Sequence, residues 1–184
     1  MVNVPPKAVA LFLLAASVLG GEGDRRAVGE YQVKAAFLYN FAKYVQWPAD
    51  VPAARTRTFV ITILGRDPFG ASLDQTLQGK AVDSLRVVVR RAATPGDLEA
   101  SQIVFISDSE RAQVPEILER LEGTATLTVA EMDQFAERGG VIRFRMDGDR
   151  VRLDINPAAA ARARLKISSE LLKVARIVGP AAEG

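Results

Sequence analysis

The sequence predicts a single-domain α/β sandwich with a mostly parallel sheet, a C-terminal antiparallel hairpin and helices on both faces. Short apolar runs rich in β-branched residues alternate with helix-forming segments, which is typical of a parallel sheet crossed by helices. Near the C-terminus two strand-like runs are joined by a tight turn instead of a helix, and this predicts the hairpin. The 184 residues contain no internal repeat, no low-complexity segment and no domain boundary, so we expect one domain.

The N-terminus resembles an export signal. Lys7 precedes the apolar run Ala8–Leu19, which is too short to span a bilayer but fits the apolar region of a secretory leader. Small residues, Gly20 and Gly21, follow at the expected cleavage point. A buried N-terminal helix and a retained membrane anchor stay open as alternatives. The predicted organisation is a signal peptide at 1–21, a polar lead-in at 22–29, the folded domain at 30–179 and a tail at 180–184.

The first predicted helix runs from Glu30 to Gln46 and is rich in aromatic residues. A rotation of about 100° per residue gathers an apolar stripe on one face, consisting of Phe37, Leu38, Phe41, Tyr44 and Val45. Lys34 falls near the centre of that stripe. Its stem could lie along the apolar surface with the amine in water, or the amine could form a buried ion pair with a distant carboxylate. Both interpretations remain open from the sequence.

The opposite face of the same helix carries Tyr39, Lys43 and Trp47. Two large aromatic side chains on a face turned away from the core are candidates for a self-association or partner-docking surface. The alternative is that Trp47 covers the linker that follows. Pro48 ends the helix, because a residue that precedes proline is pushed out of helical geometry.

The next elements alternate strand and helix. Asp67 and Pro68 are expected to begin a helix that reaches Leu77. The sequence from Ser107 to Glu110 begins another helix that ends at Leu121, and Pro115 inside it predicts a kink or a late start. A short helical turn is expected at Pro95–Ala100. The predicted strands in this part are Phe59–Leu64, Leu85–Val89, Ile103–Ile106 and Ala125–Val129.

The C-terminal part is predicted to begin with a short helix at Met132–Glu137. The hairpin strands Val141–Met146 and Val151–Ile155 follow. After them, Asn156 and the following proline start a helical region that reaches Val178 and that Ser168 divides in two.

Two loops at the ends of predicted strands suggest a small-ligand crevice. Arg66 follows the first strand, and Ser107 and Ser109 follow the third. In open parallel sheets ligands bind outside the carboxyl ends of the strands, so these three side chains are candidates for holding a small anion. The alternative is that the serines only cap the next helix.

The composition excludes several classes of function. The chain has no cysteine and no histidine, which removes disulfides, thiolate nucleophiles, imidazole acid–base chemistry and the common metal sites. The net charge is +2 and no run of Lys and Arg is dense enough to follow a phosphate backbone, so nucleic acid is not an expected partner. We expect no catalytic residues, no metal and no cofactor. Carboxylate and serine–lysine chemistry stay open from the composition alone, but the chain is not expected to be an enzyme.

Several segments, in order, are similar to the YfiR-like family of periplasmic proteins. They are VKAAFLYNFAKYVQWP, FVITILGRDPFG, LQGKAV, QIVFISDSE, LTVAEMDQFAERGGVIRF and INPAAAARARLKISSELLKVARIV, which together cover about Tyr31 to Val178.

The resemblance implies an α/β sandwich that forms homodimers and regulates a signalling enzyme. The implied partner is the periplasmic sensory domain of an inner-membrane diguanylate cyclase, whose restraint lowers cyclic-di-GMP synthesis and biofilm formation. Contact with the membrane would come only through that partner or an uncleaved leader. Relatives commonly carry a cysteine where this chain has Ser101, so redox control is not expected here. A small-ligand-binding module and a sensor adaptor for a histidine kinase are the alternative functions.

Overall fold

The computed structural model describes residues 22–49 and 57–179, with side chains from Gly29 onward. The predicted signal peptide, the tail and most of the linker before the first strand lie outside these ranges. The helices are α1 (Glu22–Tyr44), α2 (Ala71–Leu77), α3 (Val114–Leu121), α4 (Pro157–Arg162) and α5 (Ser169–Lys173). The strands are β1 (Val45–Gln46), β2 (Thr58–Leu64), β3 (Ala81–Val82), β4 (Leu85–Ala92), β5 (Ile103–Ile106), β6 (Leu127–Ala130), β7 (Ile142–Asp147), β8 (Arg150–Ile155), β9 (Lys166–Ile167) and β10 (Arg176–Ile177).

The main sheet has eight strands in the order β10-β8-β7-β6-β5-β2-β4-β3. Strands β4, β2, β5, β6 and β7 are mutually parallel, and β8 returns antiparallel to β7 as the predicted hairpin. The chain passes from β2 to β4 on one side and then crosses to β5 on the other. The carboxyl ends of β2 and β5 therefore form the topological switch point of the sheet, where ligands bind in open α/β folds. The predicted fold class is confirmed.

Alternate residues of the central strands face two separate cores. On β5, Ile103 and Phe105 belong to the larger core, whereas Val104 and Ile106 belong to the smaller one. Apolar side chains of α1, α2, α4 and α5 cover the first face, and those of α3 cover the second. Because both faces are covered, β5 is apolar at every position, as a central parallel strand requires.

The first helix differs from its prediction at both ends. It starts at Glu22, eight residues before the predicted Glu30, because the residues of the expected lead-in are mostly compatible with a helix although they lack an apolar stripe. It stops at Tyr44, since Val45 and Gln46 pair antiparallel with β9. Tyr44 is 38% exposed, so its predicted place in the core stripe is wrong.

Two predicted helices in the middle of the chain are corrected. Asp67 does not cap α2; its Oδ1 accepts hydrogen bonds from the backbone N–H groups of Phe69 and Gly70, and this turn delays the helix to Ala71. The segment Met132–Glu137 consists of turns, because Gln134 adopts a φ of +58° that interrupts any helix.

The C-terminal region is divided as predicted but also contains strands that were not predicted. Ser168 caps α5 by accepting a hydrogen bond from the backbone N–H of Leu171 at 3.3 Å. Arg164, with a φ of +56°, ends the region of α4, and short strands β9 and β10 then flank α5. Before α3, a 3-10 helix at Asp108–Gln113 gives the late start that Pro115 predicts.

Candidate functional site

A cavity of about 380 Å³ lies at the topological switch point, and it contains the three residues of the predicted crevice. Arg66 lies two residues after the end of β2, and Ser107 directly follows β5. The backbone N–H of Ser107 donates to the carbonyl of Leu64 at 3.0 Å, which holds the ends of the two strands side by side. The structure therefore brings Arg66, Ser107 and Ser109 together around one opening, as the sequence predicts.

The three residues of the crevice have different roles. The Ser109 hydroxyl is occupied, since its Oγ accepts from the Arg66 backbone N–H at 3.0 Å and donates to Glu110 Oε1 at 2.8 Å. Ser107 is only 2% exposed, and its hydroxyl has no hydrogen-bond partner in the part of the chain that the structure describes. A buried polar group without a partner costs free energy unless something else binds it. Ser107 is therefore the crevice residue whose hydroxyl is available to hydrogen-bond a ligand.

Gly65 allows this crevice to close around the serines. Its φ is +84°, and a Cβ at this position would overlap the side chains of Ser109 and Glu110. Only glycine combines that backbone conformation with so close an approach.

A buried charge cluster lies against the cavity, and it confirms the ion-pair interpretation of Lys34. Lys34 is 2% exposed, and its Nζ lies 3.0 Å from Glu131 Oε1 and also pairs with Glu30, one turn earlier. The Tyr31 hydroxyl donates to Glu131 Oε2 at 3.2 Å. Burial, reinforced by the Glu131 carboxylate, raises the pKa of Tyr31. Glu131 belongs to this site, but sequence patterns assign it no role because its partners lie about one hundred residues away.

The candidate interface residues Tyr39, Lys43 and Trp47 do not form one free helical face. The Tyr39 hydroxyl donates to the carbonyl of Ala81 at 3.1 Å, so Tyr39 ties α1 to the edge strand β3. Lys43 is exposed and its Nζ lies 4.4 Å from the Tyr39 ring centroid; the Lys80 Nζ lies 5.5 Å from the same ring. Tyr39, Lys43 and Lys80 together form a positively charged aromatic patch.

Trp47 lies beyond the end of α1 and packs on the amino end of the sheet. Its ring meets Phe59 edge to face at a centroid distance of 5.1 Å, and its Nε1 donates to the Gln102 carbonyl at 3.3 Å. Trp47 and Lys43 both line a second cavity of about 630 Å³. The docking of Trp47 on a partner and its covering of the linker both stay predictions. Trp47 has a structural role in either case.

Ser101 occupies the position where the resemblance places a cysteine in relatives. It is 6% exposed, its Oγ lies 2.7 Å from Thr62 Oγ1, and it donates to the Glu99 carbonyl at 2.9 Å. A hydrogen-bonded hydroxyl thus stands in this buried position in place of a thiol.

The described residues contain neither a metal-ligand cluster nor a membrane-spanning helix. No group of three or more Asp, Glu, His or Cys in 22–49 and 57–179 could hold a metal ion. Over the same ranges no helix is both long and apolar enough to cross a membrane.

The sheet is doubly wound and has a crevice at its switch point, which is where ligands bind in open α/β folds. The sequence profile of the YfiR/HmsC-like family matches residues 31–176, which is most of the chain. The chain belongs to the YfiR/HmsC-like family. No curated protein sequence is significantly similar to it.

Among solved structures, the chain is similar to the ABC domain in complex with L-Trp from Streptococcus pneumonia. The TM-score is 0.54 at 10% identity, over 81% of this chain and 60% of that one. At this identity the likeness shows the fold alone, and the chain spans about 60% of the length of that protein.

Proposed function

We propose that this protein is a non-enzymatic periplasmic regulator that binds the periplasmic sensory domain of an inner-membrane diguanylate cyclase. Binding would restrain cyclic-di-GMP synthesis and so reduce biofilm formation. The observation that carries the proposal is the family match over residues 31–176. The absence of any histidine and cysteine from the chain also favours a binding role over the common hydrolytic and metal-dependent chemistries.

Regulation by docking works through a difference in affinity. A regulator that binds the inactive arrangement of the cyclase more tightly than the active one stabilises the inactive arrangement by the same free energy. Typical couplings of about 1–3 kcal/mol change an equilibrium roughly 5- to 150-fold. No chemistry in the regulator is needed for an effect of this size.

The docking face that we propose is the patch of Tyr39, Lys43 and Lys80 together with the neighbouring Trp47. Both lysines are exposed and lie near one aromatic ring, so the patch is positively charged with an apolar centre. Such a surface complements an acidic region on a partner domain, and aromatic residues are frequent at the centres of interfaces. Two copies of this chain are expected to form the functional dimer.

Lys43 is the best residue for testing this face, because Tyr39 and Trp47 also hold the fold together. Lys43→Glu reverses the charge of an exposed side chain, and Lys173→Glu, at an exposed position of α5, is the matched control. In a strain that lacks the gene, the wild-type and Lys173→Glu proteins are expected to lower cyclic-di-GMP, whereas Lys43→Glu is expected to lose most of this effect.

Two results would contradict the proposal at different levels. Deletion of the gene with no change in cyclic-di-GMP would remove the diguanylate cyclase as the target and favour a histidine-kinase adaptor. A Lys43→Glu protein that folds normally and represses as well as the wild type would remove the patch while leaving the regulatory function in place. Light scattering on the purified 19.9 kDa chain tests the dimer separately.

A second candidate function, a small-ligand-binding module, is favoured by the unpartnered Ser107 hydroxyl in the switch-point cavity. The two functions are compatible, since a bound ligand could be the signal that alters docking.

A further inference from the structure

We propose that the switch-point cavity binds a small organic monocarboxylate, with Arg66 and Ser107 holding the carboxylate group. The inference goes beyond the proposed regulatory function and does not depend on it. It rests on the place of the cavity in the sheet, on the unpartnered hydroxyl of Ser107 and on the free guanidinium of Arg66 at the opening.

The place of the cavity is the one where this sheet topology leaves room for a ligand. The connections after β2 and β5 leave the sheet in opposite directions, so their carboxyl ends are separated by a crevice that neither connection fills. The cavity has a volume of about 380 Å³. Pockets that hold small molecules are typically about 300–1,000 Å³, so this one fits a compact ligand.

Arg66 is the cation at the opening that has no carboxylate partner. Glu131 shares the charge of Lys34 with a second carboxylate of α1, and Asp108 at the mouth is paired with Arg111. The Arg66 guanidinium is exposed, and within the described ranges it makes no hydrogen bond or ion pair. Arg66 is therefore the group at the opening that is free to bind an anion, and one available cation favours a monoanion over a dianion.

The unpartnered Ser107 hydroxyl indicates which chemical class of anion the cavity binds. Ser107 is 98% buried in the wall of the cavity, so a ligand that reaches it must give up water and enter with an acceptor atom first. A carboxylate has two acceptor oxygens, one for the serine O–H and one for a guanidinium N–H, and arginine is well suited to that group.

The remaining wall is aromatic and suits an apolar body behind the carboxylate. Tyr31 and Phe105 both line the cavity. The Phe69 ring lies edge to face with both, at centroid distances of 5.3 Å and 4.8 Å, which fixes the two walls in place. Rigid aromatic walls with a few polar groups at one end are the usual construction of a small-molecule site.

Benzoate is the probe that tests the proposal, and benzamide, with the same shape and no charge, is its matched control. Calorimetric titration of the purified protein is expected to show saturable benzoate binding and at least tenfold weaker benzamide binding. Arg66→Gln is expected to weaken benzoate binding about tenfold or more, and Ser107→Ala several-fold. Arg86→Gln, an exposed arginine at the other end of the sheet, is expected to have no effect.

Several results would overturn the proposal. No saturable binding of benzoate or butyrate up to about 20 mM would show that the cavity does not take monocarboxylates. Equal binding of benzamide, or benzoate binding that survives either Arg66→Gln or Ser107→Ala unchanged, would show that these two residues do not hold the carboxylate. Circular dichroism confirms that each variant is folded. Because the partner is absent from this assay, the result is independent of the regulatory proposal.

Discussion

Replacing Lys34 by methionine is expected to destabilise the protein by about 3 kcal/mol. Lys34 is 2% exposed and pairs with two carboxylates, Glu30 and Glu131, which are each 27% exposed. Removal of one partner from a buried ion pair costs about 3–5 kcal/mol, because a charge is left uncompensated in a poorly solvated place. We expect the lower end of that range, since water reaches part of both carboxylates.

The size of the effect allows a direct measurement. A loss of about 3 kcal/mol lowers the melting temperature of a domain of this size by roughly 6–12 °C. Urea unfolding can be followed by the fluorescence of Trp47, the single tryptophan of the chain. Lys43→Met, on the exposed side of the same helix, is the matched control and is expected to change stability by less than about 0.5 kcal/mol.

A double-mutant cycle separates the ion pair from other effects of the substitution. Glu131→Gln removes the distant carboxylate but keeps an acceptor for Tyr31. If the charges are coupled, Lys34→Met costs at least about 1 kcal/mol less in the Glu131→Gln background. A Lys34→Met variant that loses less than about 1 kcal/mol, or a cycle that is additive, would refute the assignment of the cluster as a stabilising buried ion pair.

Three further predictions concern the same cavity and the hairpin. Gly65→Ala is expected to cost more than about 2 kcal/mol, because a Cβ overlaps two side chains at a φ of +84°; Gly148→Ala, in open space at a φ of +58°, is the control and is expected to cost about 1 kcal/mol in urea unfolding. The raised pKa of Tyr31 means that the folded state holds the phenolic proton more tightly than the unfolded chain. The contribution of Tyr31 to stability is therefore complete below about pH 10 and is lost as the pH rises further. The wild type should lose more stability than Tyr31→Phe between pH 9 and pH 11, and equal losses would contradict this. Asp154→Asn is expected to cost about 3 kcal/mol, since this fully buried carboxylate receives two hydrogen bonds of 2.7 and 2.9 Å from one arginine. Asp147→Asn, at the exposed end of β7, is the control and is expected to change the melting temperature little.

The strands of the sheet were predictable from local sequence, because each central strand is apolar at nearly every position. The predicted strand Phe59–Leu64 lies inside the observed β2, and the predicted strand Ile103–Ile106 coincides with the observed β5. The short edge strands β3, β9 and β10 were missed, since two residues carry no periodicity and pair only because a neighbouring strand lies beside them.

The crevice was predictable in part. Arg66, Ser107 and Ser109 could be placed together because strand ends that precede helices meet at one edge of a parallel sheet. Their separate roles could not, because the sequence does not show which hydroxyl is already hydrogen-bonded. The same limit applies to Trp47, which was predicted to lie on the helix. Val45 and Gln46 instead form a strand, and Trp47 contacts Phe59 beyond the end of the helix.

The sequence by itself determined the fold class, the alternation of strands and helices, the family and the absence of cysteine and histidine chemistry. Each of these follows from residue types or from patterns of a few neighbouring residues. Only the tertiary structure decided that Lys34 is paired with Glu131, that Ser109 is occupied and that Ser107 is free for a ligand within the described chain. These outcomes depend on which side chains of distant segments come into contact. Local sequence patterns do not specify those contacts.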